Sequence, residues 1–302
     1  MATILEQVPA RGRVLIVRLR SLGDCVLTTP AITLLKQSRP DLHIGVLVEQ
    51  RFRAVFEGNP DLDEILAPAV APVARFRPHL TVNFHGGTRS MALTAASAAR
   101  FRAGFGHYRA TGLYNVLIPR AQEILNVERT VHTAEHLASA MFHLGVSPGE
   151  IPRAKLFAKR TANPRPYAVL HPVASAPDKT WPATSFLRTA AHLVAQGLEP
   201  IFIGAASDDL AAFSHYRTVA GAPLDEVKDL IASASLFAGN DSGPAHMAAA
   251  FGLPVAVVFG ASDPEIWRPW KTESVVLMSA EGIAAVPPEQ MIEAVDRLRV
   301  AA

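Results

Sequence analysis

A chain of 302 residues with 49% hydrophobic and only 19% charged side chains is too long for one ordinary domain and too apolar for a disordered chain, so two folded domains are expected. Its one cysteine, Cys25, excludes a disulfide framework and a cysteine zinc site and fits a reducing compartment. The net charge of +2 hides a lopsided distribution: no Asp or Glu falls between Leu66 and Gln122, whereas Arg75, Arg77, Arg89, Arg100, Arg102, Arg109 and Arg120 do, with His79, His85 and His107.

Short apolar runs alternate with segments of helical period, the pattern of stacked βα units and a mainly parallel sheet. The opening stretch from Met1 carries Glu6, Arg11 and Arg13 and has no apolar run of signal-peptide length. No later window approaches the roughly 18 apolar residues of a membrane span, so a soluble cytoplasmic protein is expected. Arg13 to Val17 reads as a buried strand. The loop Arg18-Leu19-Arg20-Ser21-Leu22-Gly23-Asp24 follows, then a helix with Leu27, Ala31, Leu34 and Leu35 on one face. Pro30 leaves two readings of its start: Asp24 caps a helix kinked at Pro30, or Thr29 caps and Pro30 is the first helical residue. His43 to Val48 and Leu80 to Phe84 read as further strands, the second running into His85-Gly86-Gly87-Thr88-Arg89.

A helix over Thr130 to Leu144 precedes Gly145 to Pro166, which holds Pro148, Pro152, Pro164 and Pro166 without a sustained period and reads as a linker. The expected domains are 1–160 and 161–302. In the second, strands are expected at Tyr167 to Leu170, Pro200 to Ile203, Leu236 to Ala238 and Val255 to Phe259. Helices are expected from Pro182 to Ala195, from about Ser207, and over Leu224 to Ser233, Pro244 to Phe251 and Pro288 to Leu298. Ligands of such sheets bind at the carboxyl ends of the strands, so the strand-to-helix loops are the ones to read for chemistry.

Three loops stand out. Asn240-Asp241-Ser242-Gly243-Pro244 opens a helix, and the free amides near Ser242 and Gly243 can face a phosphate, as they also would at an ordinary capped helix. His171 to Pro182 presents Ser175 and Lys179 ahead of another helix, groups that suit a diphosphate, although a single loop lysine is more often solvated. Asp24 suits a general base or a helix cap. Cys25 reads as a packing residue, and the spacing of His85, His171 and His246 matches no metal pattern.

Together these loops resemble glycosyltransferase family 9, the ADP-heptose:lipopolysaccharide heptosyltransferases. The likeness covers nearly the whole chain. Arg18 to Pro30 looks like that family's first loop, and Gly239-Asn240-Asp241-Ser242-Gly243-Pro244-Ala245-His246 is the next strongest piece. His85 to Ser90, Asp178-Lys179-Thr180-Trp181-Pro182 and Phe259-Gly260 through Asp263-Pro264 to Trp267 fall in the expected order.

The resemblance implies a GT-B fold of two Rossmann-like domains with mainly parallel sheets facing a central cleft, the first holding the acceptor and the second the nucleotide sugar. It implies inverting transfer without metal or cofactor from a nucleotide-diphosphate donor, ADP-heptose, to a phosphorylated lipopolysaccharide inner core. On that reading Asp24 is the base. Ser175, Lys179, Asp241, Ser242, Gly243 and His246 bind the donor, and Arg20, His85, Arg89 and Arg109 bind the acceptor. The enzyme would touch the inner membrane peripherally and bind no nucleic acid. A noncatalytic nucleotide-sugar or core-binding protein of the same fold is the alternative. The stretch Gly204 to Asp208 departs from some relatives, which have Glu near Ala206 against the nucleoside.

Overall fold

The computed structural model describes residues 2–108, 111–161 and 165–300. Contacts divide the chain into two units, Met1–Phe157 and Ala158–Ala302. Each is built on a six-stranded sheet whose strand pairings are all parallel.

In the first unit the strands are β1 (Arg13–Val17), β2 (His43–Leu47), β3 (Glu64–Leu66), β4 (Leu80–Asn83), β5 (Phe101–Phe105) and β6 (Val116–Ile118), arranged β3-β2-β1-β4-β5-β6. The helices between them are α1 (Leu22–Ser38), α2 (Val70–Phe76) and α3 (Thr88–Ala96), followed by α4 (Ala121–Leu125) and α5 (Thr133–Leu144). The apolar run of β1 is buried from Val14 to Val17, as a central strand covered on both faces requires. Leu15, Val17, Leu47, Val73 and Leu93 join one core cluster.

The helix α1 settles the two readings of its start. It begins at Leu22 with Ser21 as the N-cap, and Asp24 is its third residue rather than its cap. The helix runs through Pro30. Pro30 has no N–H for the carbonyl of Val26, and the Thr29 hydroxyl donates to that oxygen instead at 2.8 Å. Residues 145–161 carry no helix or strand, and Lys155 N donates to Thr29 Oγ1 at 3.0 Å. Residues 162–164 of the expected linker lie outside the described residues.

The second unit holds β7 (Tyr167–His171), β8 (Glu199–Gly204), β9 (Arg217–Ala220), β10 (Leu236–Asn240), β11 (Val255–Val258) and β12 (Ser274–Leu277), arranged β12-β11-β10-β7-β8-β9. Read from β9, this is the strand order of the first sheet. Its helices are α6 (Ala183–Ala195), α7 (Leu224–Ala232), α8 (Gly243–Ala250), α9 (Pro264–Trp267) and α10 (Pro288–Val300). Trp181, Phe186, Phe202 and Met291 lie in its core cluster.

The helix expected from about Ser207 does not form. Asp208 accepts from Ala205 N at 2.7 Å and Asp209 from Ala211 N at 2.9 Å, so both carboxylates bind local backbone and favour turns over helix. A short 3-10 turn, Ala211–Phe213, leads instead into β9.

Candidate active site

In both sheets the first and fourth strands are neighbours with their crossovers leaving in opposite directions, the position where α/β sheets hold ligands beyond the carboxyl ends. The first unit builds this region on Arg18. Its guanidinium is buried, and Nη1 lies 3.3 Å from Asp24 Oδ1. Ser21 Oγ donates to the other carboxylate oxygen of Asp24 at 2.9 Å. Asp24 is therefore fixed from two sides in the first turn of α1, where the helix dipole favours negative charge. Burial pushes the Cys25 thiol upward, which keeps the neighbouring sulfur protonated and unreactive.

The loop after β4 is held by Asn83. Its Nδ2 lies within 3.1 Å of Ser90 Oγ, Thr94 Oγ1 and Tyr114 Oη. Its Oδ1 accepts from the backbone of His85 at 2.9 Å and Gly86 at 3.1 Å. Gly104 gives the Tyr114 ring room, since a Cβ there would stand 2.7 Å from it. Gly86, at a φ of +71°, lies against Tyr108 in the same way. Burial, with the Arg18 charge second, lowers the His85 ring below its ordinary value, while a hydrogen bond with the Arg20 backbone and the Asp24 charge oppose this. Arg18, Arg20 and Asp24 thus all act electrostatically on His85.

Arg89 is held by two contacts of its own unit. Its Nη2 donates to Pro68 O at 2.9 Å and Nη1 lies 3.6 Å from Glu49 Oε1, an acid from outside the acid-free block. Arg109 lies outside the described residues. The basic block itself is divided by the fold. His85 and Arg89 follow β4 at the carboxyl end of the sheet, whereas Arg75, Arg77 and His79 precede β4, and Arg100 and Arg102 stand where β5 begins, at the amino end.

In the second unit Ser242 is the N-cap of α8, with Gly243 and Pro244 as its first residues. Ser242 Oγ lies 3.0 Å from Nδ1 of His171, at the end of β7. Burial lowers this histidine to about 4, with Asp208 opposing, so the ring is neutral. Asn240 accepts from Trp181 N at 3.0 Å, and its buried Nδ2 has no acceptor among the described residues. Burial raises the Asp241 carboxyl, opposed by a hydrogen bond from Ser262 and by the charge of Lys179. Gly260 brings the loop after β11 against the Lys179 turn, where a Cβ would collide with the Asp178 carbonyl oxygen. Lys179, Asp241, Ser242 and Gly243 therefore share one region. Ser175 is exposed, and His246 is buried within α8 with its ring centroid 6.3 Å from that of Trp267.

Sequence reasoning did not select Arg18, Asn83 or Ser262. Arg18 carried one signal: it opens a loop whose sole carboxylate is Asp24.

Two six-stranded parallel sheets that share this strand order are the α/β architecture of the GT-B type. The chain belongs to glycosyltransferase family 9 (heptosyltransferase), whose profile matches residues 79–292. It is 26% identical to lipopolysaccharide heptosyltransferase 3 of Escherichia coli, over 91% of this chain and 96% of that protein. Its fold matches the glycosyl transferase family 9 structure from Veillonella parvula with a TM-score of 0.86 at 19% identity, over 97% and 98% of the two chains. The E. coli heptosyltransferase WaaC, solved with ADP, matches with a TM-score of 0.79 at 19% identity, over 94% and 99%. No helix among the described residues is long and apolar enough to cross a membrane.

Proposed function

We propose that this glycosyltransferase moves a heptose from ADP-heptose to a phosphorylated lipopolysaccharide inner core, with inversion at the anomeric carbon. The observation that carries this reading is the carboxylate of Asp24, held by Ser21 Oγ at 2.9 Å and Arg18 Nη1 at 3.3 Å. A carboxylate fixed in this way suits a base for a single displacement. As an acceptor hydroxyl attacks the anomeric carbon, the new C–O bond forms and the bond to the diphosphate breaks. The hydroxyl proton passes to Asp24, and the electron pair leaves on ADP.

The leaving diphosphate gains charge, and the second unit supplies what stabilises it. Lys179 offers an ammonium, and the amides opening α8 at Ser242 and Gly243 offer free donors. Ser175 assists at the diphosphate, Asp241 and His246 bind the donor, and Arg20, His85, Arg89 and Arg109 bind the phosphorylated acceptor. The first unit is the acceptor-binding one and the second the donor-binding one. The reaction takes place on the cytoplasmic side, with peripheral contact at the inner membrane.

The deciding experiment incubates the purified protein with ADP-β-heptose and heptose-deficient lipopolysaccharide core. It follows ADP release and the anomeric configuration of the product by NMR. ADP release that depends on the acceptor, with an α-linked product from the β-donor, is expected; retention, or no transfer, overturns the reading.

A further inference from the structure

The part of the basic block left at the amino end of the first sheet surrounds a cavity of about 690 Å³ lined by Arg13, Arg77, His79 and Arg100 with no carboxylate among its lining residues. The sheet itself assembles this row. Arg13, His79 and Arg100 each stand one residue before a registered position, Val14 against Leu80 and Leu80 against Phe101. His79 N donates to Arg13 O at 2.8 Å and Phe101 N to His79 O at 3.1 Å, so three adjacent strands enter side by side. Parallel neighbours lie about 4.8 Å apart, which sets the spacing of the row.

Helix C-termini at this rim explain only part of the charge. Arg13 Nη1 donates to Phe76 O, the last residue of α2, at 2.9 Å, and its guanidinium lies 6.0 Å from the Phe76 ring centroid. Arg77 follows in the left-handed region at a φ of +49°. Arg100 lies 4.9 Å over the Phe101 ring. Among the described residues no carboxylate comes within 4.0 Å of Arg13, Arg77 or Arg100. A concave site carrying three uncompensated guanidiniums favours an anion with several oxygens over a flat solvated face.

We propose that this cavity is a second anion site, at the opposite end of the sheet from Asp24, which binds a phosphate-bearing group free in solution or on a lipid headgroup. Arg77 and Arg100 supply forked donors to the phosphate oxygens, while Arg13, anchored on Phe76 O, adds charge from the back. The site does not rest on the heptosyl-transfer reading, since none of its residues belongs to the machinery proposed for that reaction.

The test uses the full chain labelled with 15N-arginine and follows the guanidinium Nε resonances of Arg77 and Arg100, assigned by R77Q and R100Q. One arm titrates pyrophosphate. The other measures co-sedimentation with phosphatidylcholine vesicles with and without about 30% phosphatidylglycerol. Shifts at both arginines with pyrophosphate identify a soluble phosphorylated ligand. Retention on anionic vesicles alone identifies a headgroup. In either case R77Q/R100Q should lose about tenfold or more of the binding, and rising salt should weaken it. Wild-type protein that shows neither response overturns the site. So does a double variant that melts at a lower temperature yet binds both probes as the wild type does, because the arginines would then serve only the helix ends.

Discussion

Each sheet ends its fourth strand on a buried asparagine, and the two are used in opposite ways. Asn83 has acceptors for Nδ2 at Ser90, Thr94 and Tyr114 and donors to Oδ1 from His85 and Gly86, so the loop after β4 is closed by its own unit. The Asn240 side chain accepts from Trp181 N, keeps a buried Nδ2 without an acceptor among the described residues, and precedes an acid whose carboxyl burial raises. A buried unmet donor costs about 1–3 kcal/mol, a cost a fold tolerates where a ligand completes the set. The loop after β4 is thus satisfied within its own unit, whereas the loop after β10 keeps a buried donor without an acceptor among the described residues.

Four measurements sharpen or break this contrast. Asp24→Asn should lower single-turnover transfer by about 10²- to 10⁴-fold, the usual worth of a general base, with donor affinity close to wild type. A folded variant at near wild-type rate would make Asp24 a structural member of the Ser21 turn and nothing more. Next, Asn83→Ala should cost about 3 kcal/mol in denaturant unfolding, because two amides and three hydroxyls lose a partner. Asn240→Ala should cost roughly 1 kcal/mol or less, and equal costs would dissolve the comparison.

Lys179→Ala should weaken ADP binding by about 2 kcal/mol in calorimetry while saturating donor restores most of the turnover. A turnover loss as deep as that of Asp24→Asn would break the division of labour. The smallest effect concerns acid. His136 stacks on Phe105 with centroids 4.1 Å apart, and burial, with His107 and Arg18 adding like charge, lowers it to about 4. Its folded value lies below the ordinary 6.5, so the unfolded chain binds the extra proton first. The contribution is complete above pH 6.5 and is lost as pH falls towards 4. His136→Phe should therefore flatten the loss of stability in that window by about 1–2 kcal/mol. Melting curves at several pH values that superimpose for the two proteins would refute this.

Central strands were legible in the residues because burial on both faces writes a continuous apolar run, as in β1 and β11. Short or polar strands were not. The edge strand β3 is three residues with its first exposed, the interior strand β5 carries Arg102 and Gly104, and the edge strand β9 is mostly exposed, so none shows the period of a buried element. The loops bearing Asp24, Lys179 and Ser242 announced themselves by local signals, a lone acid, a cation before a helix and a Ser-Gly-Pro start. The partners that orient them are long-range. Tyr114 reaches Asn83 from the stretch ahead of β6 through the space left by Gly104, and Ser262 reaches Asp241 from the loop after β11, relations that no window of sequence contains.

Gly260 has a bearing on how this chain can change. Since any side chain there would strike the Asp178 carbonyl, the turn presenting Lys179 and the loop after β11 form a single unit of inheritance. In a saturation library, position 260 should accept almost nothing by itself, and second-site rescues should map to residues 177–180. Diversification towards new donors would then proceed through exchanging both loops at once, with single substitutions near the lysine meeting a dead end.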